Sequence, residues 1–491
     1  MKRKLALFTL VLTAFLSGCS FSDNETSSEN VSIDYANIEK PEKIRLLAST
    51  IVDPGDEFEQ LIAAYKADTG ITLEVIRPDH NVYYERVNVA VAGSNLYDVM
   101  EVGGAYYPTY SSYGLLYDMT DVYEASPQNN ADTNKYADAL RFNGRLYGFP
   151  MMKGNGTITH IRKDWLDRFS LSAPKNYAEF INMLEKFKTI TYYDEETAEE
   201  KNMIPITAAG VINSEYPYNI YLPEFYQGAN PDFYYDESSG KYVDGMLQPN
   251  MKDALARFKF AWEDGLLDED IFTNKTSTCR DKLYSGKVGT FNYWAGSWTY
   301  LMSETVKEEV DGELIAVEPI AECKYIERSP LALVIPKFAE NPEGIYKYFI
   351  DYTHDGGKGQ LLFTRGVENQ SWKIENGKGT LINAKPGSIA KLYYTPDLCF
   401  RDFGDPITFD PTVINSTKIL EENSVLYPIP VATDTATDML PEIDAVRRNV
   451  FEKVIKGEMT VDEGIDYYKE QMSEISDTVL SELNDGGDKN E

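Results

Sequence analysis

Apolar and polar residues alternate with two different periods near the beginning of the chain. Apolar runs at 43–49, 71–75 and 96–102 predict β-strands. The segments between them, 56–67 and 81–92, carry apolar side chains at helical spacing and predict α-helices. Strand, helix, strand, helix, strand in this order is typical of a parallel, doubly wound sheet. The pattern therefore predicts an α/β lobe.

A turn signal and a candidate hinge follow. Asn143-Gly144 stands between two short segments rich in apolar residues, which is a strong signal for a β-hairpin. The chain then passes through a glycine-rich stretch into another predicted strand, 157–161. We interpret 151–156 as the first crossing between two lobes. The hinge residues are predicted to be Met151, Gly154 and Gly156.

Helix-start signals recur beyond the hinge. Asn176 and Glu179 have capping-box spacing ahead of an apolar stripe, and Thr460 and Glu463 have the same spacing in the tail. Asn250 is expected to start a further helix. These elements predict a second lobe with a helical tail.

Two later apolar runs complete the predicted organisation. Residues 287–292 predict a strand, and the run at 331–335 predicts a strand that returns the chain to the first lobe. A chain of this length exceeds what one hydrophobic core usually supports, so two lobes are expected. The predicted lobes are 43–155 plus about 330–390 and 156–329 plus about 391–491.

Aromatic residues cluster where predicted strands end. In open parallel sheets, ligands bind outside the carboxyl ends of the strands. Aromatic rings stack on the apolar faces of sugars, and amide or hydroxyl side chains bind sugar hydroxyls. The sequence therefore predicts a carbohydrate cleft between the lobes. Its candidate residues are Tyr106 and Tyr107 after one strand and Asn292, Tyr293, Trp294 and Trp298 after another.

The first residues have the form of an export signal. Lys2, Arg3 and Lys4 precede an apolar run, 5–16, that is too short to span a bilayer as a helix. Residues 1–18 are thus predicted to be a signal peptide. The polar segment 19–42 has few large apolar residues, so it is expected to be a solvated tether.

Charge and cysteine content exclude several classes of protein. The chain has 79 acidic and 47 basic residues and a net charge of −32, a field that repels nucleic acid and anionic lipid. A polyanionic ligand is disfavoured unless a local basic pocket overrides this average. Cys279, Cys323 and Cys399 allow at most one disulfide beyond Cys19, so a disulfide scaffold is excluded.

The sequence shows no motif that indicates catalysis, a metal or a cofactor. His80, His160 and His354 are far apart and have no zinc-ligand spacing, and no phosphate-binding loop or nucleophile elbow is present. We therefore predict no cofactor, no metal and no enzymatic activity. Carboxylate pairs are common in so acidic a chain, so a surface glycoside hydrolase or lyase stays an alternative.

Several segments together carry a family resemblance. They are Leu16-Ser17-Gly18-Cys19, which resembles the bacterial lipobox, the stretches 143–150, 161–166 and 176–180, and Tyr284-Ser285-Gly286-Lys287-Val288-Gly289. In order and spacing they resemble the extracellular solute-binding lipoproteins of bacterial ABC importers, in the sugar and oligosaccharide branch. The resemblance implies two doubly wound α/β lobes joined by a hinge, as in type II periplasmic binding proteins.

The resemblance also implies roles for particular residues. Cys19 matches the lipidated cysteine, and Trp294 and Trp298 match a ligand-facing loop. Glu368 and Trp372 lie in a stretch similar to another ligand segment, although Trp372 replaces a tyrosine. Residues 193–197 lack the alternation of the family's calcium loop, so calcium is not predicted.

Together with this resemblance, the sequence predicts a monomeric receptor anchored by lipid to the outer face of the cell membrane. It is expected to capture a sugar by hinged closure and to deliver it to an ABC permease. A receptor for peptides or other organic solutes is the alternative among binding proteins.

Overall fold

The computed structural model describes most of the chain after the predicted signal peptide. The described residues are 33–49, 56–79, 82–93, 96–104, 106–195, 197–212, 220–382, 392–427 and 433–485. The predictions for the signal peptide, Cys19 and His80 lie outside these ranges. Among the described residues, no helix combines the length and hydropathy needed to cross a membrane.

The first lobe contains a five-stranded sheet whose strands, in order across the sheet, are β2 (Thr72–Ile76), β1 (Lys43–Leu47), β3 (Val99–Val102), β16 (Ala332–Val334) and β6 (Phe149–Pro150). β1 pairs in parallel with β2 and β3, whereas β16 is antiparallel to both β3 and β6. A strand from the middle of the chain therefore completes a sheet begun near residue 43.

Helices and two hairpins surround this sheet. Ile44, Leu46, Val99 and Leu333 are fully buried or nearly so in a core that these helices close. The helices are α1 (Asp56–Thr69), α2 (Tyr83–Val91), α3 (Tyr106–Ser112), α4 (Thr120–Glu124), α5 (Ala131–Asp138), α12 (Pro342–Ile345), a π-helical continuation (Tyr346–Asp351) and α13 (Lys358–Arg365). The hairpin strands are β4 (Arg141–Phe142), β5 (Arg145–Leu146), β17 (Trp372–Glu375) and β18 (Lys378–Leu381).

The second lobe is built on a four-stranded sheet whose strands, in order across the sheet, are β10 (Ile204–Thr207), β13 (Val288–Trp294), β7 (Thr157–Arg162) and β14 (Leu314–Ala316). β13 lies between a parallel neighbour, β10, and an antiparallel neighbour, β7. Every residue of β7 is buried, as expected for a strand covered on both faces.

A helical shell and two further hairpins enclose the second sheet. The helices are α6 (Lys163–Arg168), α7 (Tyr177–Lys188), α8 (Pro223–Tyr226), α9 (Pro249–Glu263), α10 (Thr276–Tyr284), α11 (Ser297–Val310), α14 (Pro411–Asn423), α15 (Asp434–Asp438), α16 (Leu440–Ile455) and α17 (Val461–Asp485). The hairpin strands are β8 (Thr191–Asp194), β9 (Glu199–Asn202), β11 (Phe233–Asp236) and β12 (Lys241–Asp244). The prediction of two α/β lobes is confirmed.

Local sequence signals set several element boundaries. The Asn176 side chain accepts a hydrogen bond from the Glu179 N–H at 3.0 Å, and α7 begins at the next residue. Thr460 and Glu463 form the reciprocal capping box before α17. The predicted start of α9 at Asn250 is wrong by one residue. The helix begins at Pro249, whose fixed φ and missing N–H suit the first turn.

The lobes are joined by three crossing segments. The first is 151–156, the second follows β15 (Tyr325–Glu327), and the third lies near 395–400. β15 also pairs in parallel with β19 (Ser424–Leu426), so two segments lie side by side at the hinge.

Two stretches lie elsewhere than the sequence suggested. Residues 33–42 were expected in the solvated tether, but Ile38 is buried in the first core and Lys347 donates hydrogen bonds to the backbone carbonyls of Tyr35 and Ala36. The first core also continues past the expected division near residue 391, because Tyr393 and Tyr394 are buried in it. Both stretches carry large apolar side chains, which pack onto the lobe.

Candidate functional site: a cleft between the lobes

A large cleft separates the two lobes. Its volume is about 1630 Å³, and side chains from both lobes and from all three crossings line it. Met152, Gly154 and Asn155 line it from the first crossing, Arg328 from the second and Asp397 from the third. The hinge therefore forms the floor of the cleft.

Stacked tyrosines form the wall from the first lobe. The rings of Tyr84 and Tyr106 are 3.8 Å apart between centroids and nearly parallel, at 9°. Tyr110 donates a hydrogen bond from its hydroxyl to the Asn88 side chain at 2.6 Å. Tyr107 also lines the cleft, although its ring is buried and its hydroxyl donates to the Leu140 carbonyl. Tyr106, 41% exposed, is the ring of this group that a ligand reaches most easily.

Two tryptophans form part of the opposite wall. Trp294 ends β13 and Trp298 lies in the first turn of α11, and both line the cleft while packing against the second core. The Asp397 carboxylate accepts hydrogen bonds from the N–H and hydroxyl of Ser297, at 3.0 and 2.8 Å. These bonds fix the start of α11 against the third crossing and hold both indole rings at the cleft.

The β11–β12 hairpin adds an aromatic surface that the sequence-based prediction missed. Tyr234, Tyr235 and Tyr242 line the cleft, and Tyr235 is 53% exposed. Tyr235 and Tyr242 face each other across the hairpin with centroids 5.3 Å apart. The run Phe233-Tyr234-Tyr235 ahead of a Ser-Ser-Gly turn was the available signal.

A buried ion pair lies at the wall of the second lobe. Arg447 donates to Asp232 at 2.8 Å, and both residues line the cleft. Burial raises the pKa of Asp232 to about 6, although the positive charge of Arg447 opposes this shift. The pair offers polar atoms to a ligand between otherwise aromatic surfaces.

Four predicted ligand residues do not line the cleft. Asn292 is fully buried within the second sheet and donates to the Thr159 hydroxyl, while Tyr293 is buried and accepts a hydrogen bond from Arg280. Trp372 is buried and donates to the Gly366 carbonyl, and the neighbouring Glu368 is exposed away from the cleft. β13 is buried from Val288 to Tyr293, which accounts for the first two residues, and motif similarity alone suggested the other two.

The predicted hinge residues occupy the first crossing. Met151 is buried and its N–H donates to the Leu331 carbonyl at 2.8 Å. A β-carbon added to Gly156 would overlap the carbonyl oxygen of Ile326. Close approach of two backbones, rather than a left-handed φ, is therefore what requires glycine at this point.

Residues 60–346 match a family model described as bacterial extracellular solute-binding protein. The fructooligosaccharide ABC transporter substrate-binding protein FusA of Streptococcus pneumoniae is 24% identical over 313 residues, which cover 59% of this chain and 57% of that protein. The match thus spans little more than half of that relative. Lipoprotein LipO of Bacillus subtilis is 22% identical over 388 residues, covering 76% of this chain and 74% of LipO.

A solved structure has the same fold over most of the chain. A solute-binding protein of Bifidobacterium longum infantis, described as HMO-binding and ABC-transporter-associated, aligns with a TM-score of 0.65 and 17% identity. The alignment covers 89% of this chain and 96% of that one.

Proposed function

This chain belongs to the bacterial extracellular solute-binding proteins, and from that premise we propose that it captures a sugar or oligosaccharide between its lobes. The lobes close around the ligand at the hinge, and the closed form delivers it to an ABC permease. The protein binds its ligand without transforming it.

The cleft is the observation that carries this proposal. Tyr106 of the first lobe and Trp294 and Trp298 of the second line the same space, so closure brings aromatic faces to both sides of a ligand. Stacking against such rings contributes about 1 kcal/mol each. The volume of about 1630 Å³ exceeds that of ordinary small-molecule pockets and suits an oligosaccharide better than a single sugar. The name of the streptococcal relative supports a carbohydrate ligand.

Titration of the protein with carbohydrates tests the proposal. Isothermal titration calorimetry with mono- and oligosaccharides is expected to find at least one ligand of about micromolar affinity, and trypsin-digested peptides serve as the comparison set. Binding of peptides alone would show a peptide receptor. Chromatography of labelled glycans after incubation is expected to return them intact, whereas cleaved products would show a hydrolase or lyase.

We also propose that a lipid on Cys19 anchors the protein to the outer face of the membrane as a monomer. Two acyl chains give stable anchoring where one does not, and an apolar run precedes this cysteine. Mass spectrometry of the membrane-extracted protein is expected to find a diacylglyceryl group on a mature chain that begins at Cys19.

A further inference from the structure

Arg328 places a positive charge in the cleft, at the end nearest the hinge. Its guanidinium carbon lies 5.1 Å from the centroid of the Trp294 ring. Within the ranges that the structure describes, no carboxylate or carbonyl accepts a hydrogen bond from its side chain. The side chain is half-buried at the hinge end of the cleft. Its N–H donors therefore face solvent that a ligand would displace.

Several other charged side chains along the cleft have protein partners. Arg447 pairs with Asp232, and Lys153 pairs with Glu421. Asp397 accepts hydrogen bonds from Ser297, and Glu322 accepts one from the backbone N–H of Tyr177. Lys324 also lines the cleft and is exposed to solvent. Arg328 thus differs from the paired charges around it because an aromatic face, rather than an acid, is its protein contact.

The backbone holds Arg328 firmly in place. Its N–H donates to the Asn155 carbonyl at 2.9 Å, which joins the first and second crossings. Next to it, the Ser329 hydroxyl donates to the Tyr427 carbonyl at 2.7 Å. The guanidinium is therefore presented from a fixed backbone.

The positive charge of Arg328 also acts on Tyr84, in the wall that the first lobe contributes. Burial raises the pKa of Tyr84, and the positive charge of Arg328 is one of the influences that oppose this rise. Arg328 thus lies close enough to act on a ligand that spans from Trp294 to the Tyr84–Tyr106 stack.

We propose that Arg328 binds a carboxylate of the ligand, so that the cleft selects a carbohydrate carrying a uronic-acid group over its neutral counterpart. This inference rests on the proposed function and names the chemical class of its ligand. A planar guanidinium matches a carboxylate with two parallel hydrogen bonds. Arg328 places a cation beside the ligand, and salt screens the more distant charges of this chain, whose net charge is −32, over about 8 Å at physiological ionic strength.

Paired ligands test the proposal. Oligogalacturonides and alginate oligomers are titrated beside their carboxyl-reduced derivatives, which keep the chain length and lose the charge. At least one acidic ligand is expected to bind about tenfold or more tightly than its reduced partner. Arg328→Gln is expected to weaken binding of the acidic ligand much more than binding of its reduced partner, so that the preference is lost, and Arg328→Lys is expected to retain part of it.

Arg168→Gln is the matched control, because Arg168 also lies over an aromatic ring, Phe169, but outside the cleft. It is expected to keep the full preference for the acidic ligand. Equal binding of acidic and reduced ligands, or an equal loss of both in Arg328→Gln, would overturn the role of Arg328. Binding of neutral sugars alone would overturn it too and leave the proposed function standing. If no carbohydrate of any kind binds, the proposed function itself fails.

Discussion

The carbonyl oxygen of Arg328 lies directly against Gly154, so that a β-carbon on Gly154 would overlap it. Two crossings of the hinge touch at this point through their backbones. A side chain at 154 would push the second crossing, and the guanidinium it carries, away from the floor of the cleft.

We therefore expect Gly154→Ala to lower the free energy of unfolding by about 2 kcal/mol or more and to weaken ligand binding. Gly377→Ala is the comparison, because nothing lies within 4 Å of the added carbon and the cost there is only that of its positive φ, about 1 kcal/mol. Urea denaturation of both variants measures the difference. Equal losses of stability would show that the crossings tolerate a side chain.

Trp294 is expected to contribute stacking energy to a bound sugar. Replacing it by leucine keeps an apolar side chain and removes the aromatic face, so affinity should fall about three- to tenfold. Trp262→Leu is the control, since Trp262 packs against Phe272 in the second lobe away from the cleft. Calorimetry measures the sugar affinity of both variants. A comparable loss of affinity in Trp262→Leu would argue against a stacking role for Trp294.

The β11–β12 hairpin gives a second test of the aromatic cleft. Tyr235→Ala is expected to reduce oligosaccharide affinity severalfold while changing the melting temperature little, because the ring is 53% exposed. Tyr193→Ala is the control, because Tyr193 is also an exposed ring on a hairpin, β8–β9, at 66% exposure, but does not line the cleft. Unchanged affinity in Tyr235→Ala, as expected for Tyr193→Ala, would remove the hairpin from the binding surface.

A buried carboxyl group in the first lobe makes stability depend on pH. Burial raises the pKa of Asp351 from 3.8 to about 8, with the charge of Arg401 opposing the rise, and Asp351 accepts a hydrogen bond from the Ser126 hydroxyl at 2.8 Å. Below pH 4 this carboxyl group is protonated in both the folded and the unfolded protein, so its titration does not lower stability. As pH rises toward 8, the unfolded state loses the proton more readily than the folded state, and the free energy of unfolding therefore falls. The loss is on the order of a few kcal/mol.

Asp351→Asn keeps the acceptor for Ser126 and removes the titration. The variant is therefore expected to gain stability relative to the wild type as pH increases from 5 to 8, measured by urea denaturation at each pH. A constant difference between the two proteins across this range would contradict the assignment.

The sequence predicted elements whose causes are local. Asn143-Gly144 dictates a tight turn because both residues have positive φ, 49° and 74°, as a type I′ turn requires. The capping residues Asn176 and Thr460 satisfy N–H groups of their own helices. Such signals depend on neighbouring residues alone, so they can be recognised without the fold.

The side chains that face the cleft depend on tertiary packing, which the sequence pattern does not reveal. Asn292 and Trp294 are two residues apart in β13, yet only Trp294 reaches the cleft, because helices and strands enclose the rest of the strand. No sequence motif marks Arg328, and the second crossing brings it next to Trp294. Its position beside Trp294 therefore depends on how separate segments of the chain pack together.

Small-angle X-ray scattering with and without saturating ligand tests hinged capture most directly. The radius of gyration is expected to decrease when a carbohydrate identified by calorimetry is added, and to stay unchanged with a sugar that does not bind. Tight binding with no decrease in the radius of gyration would contradict closure of the two lobes around the ligand.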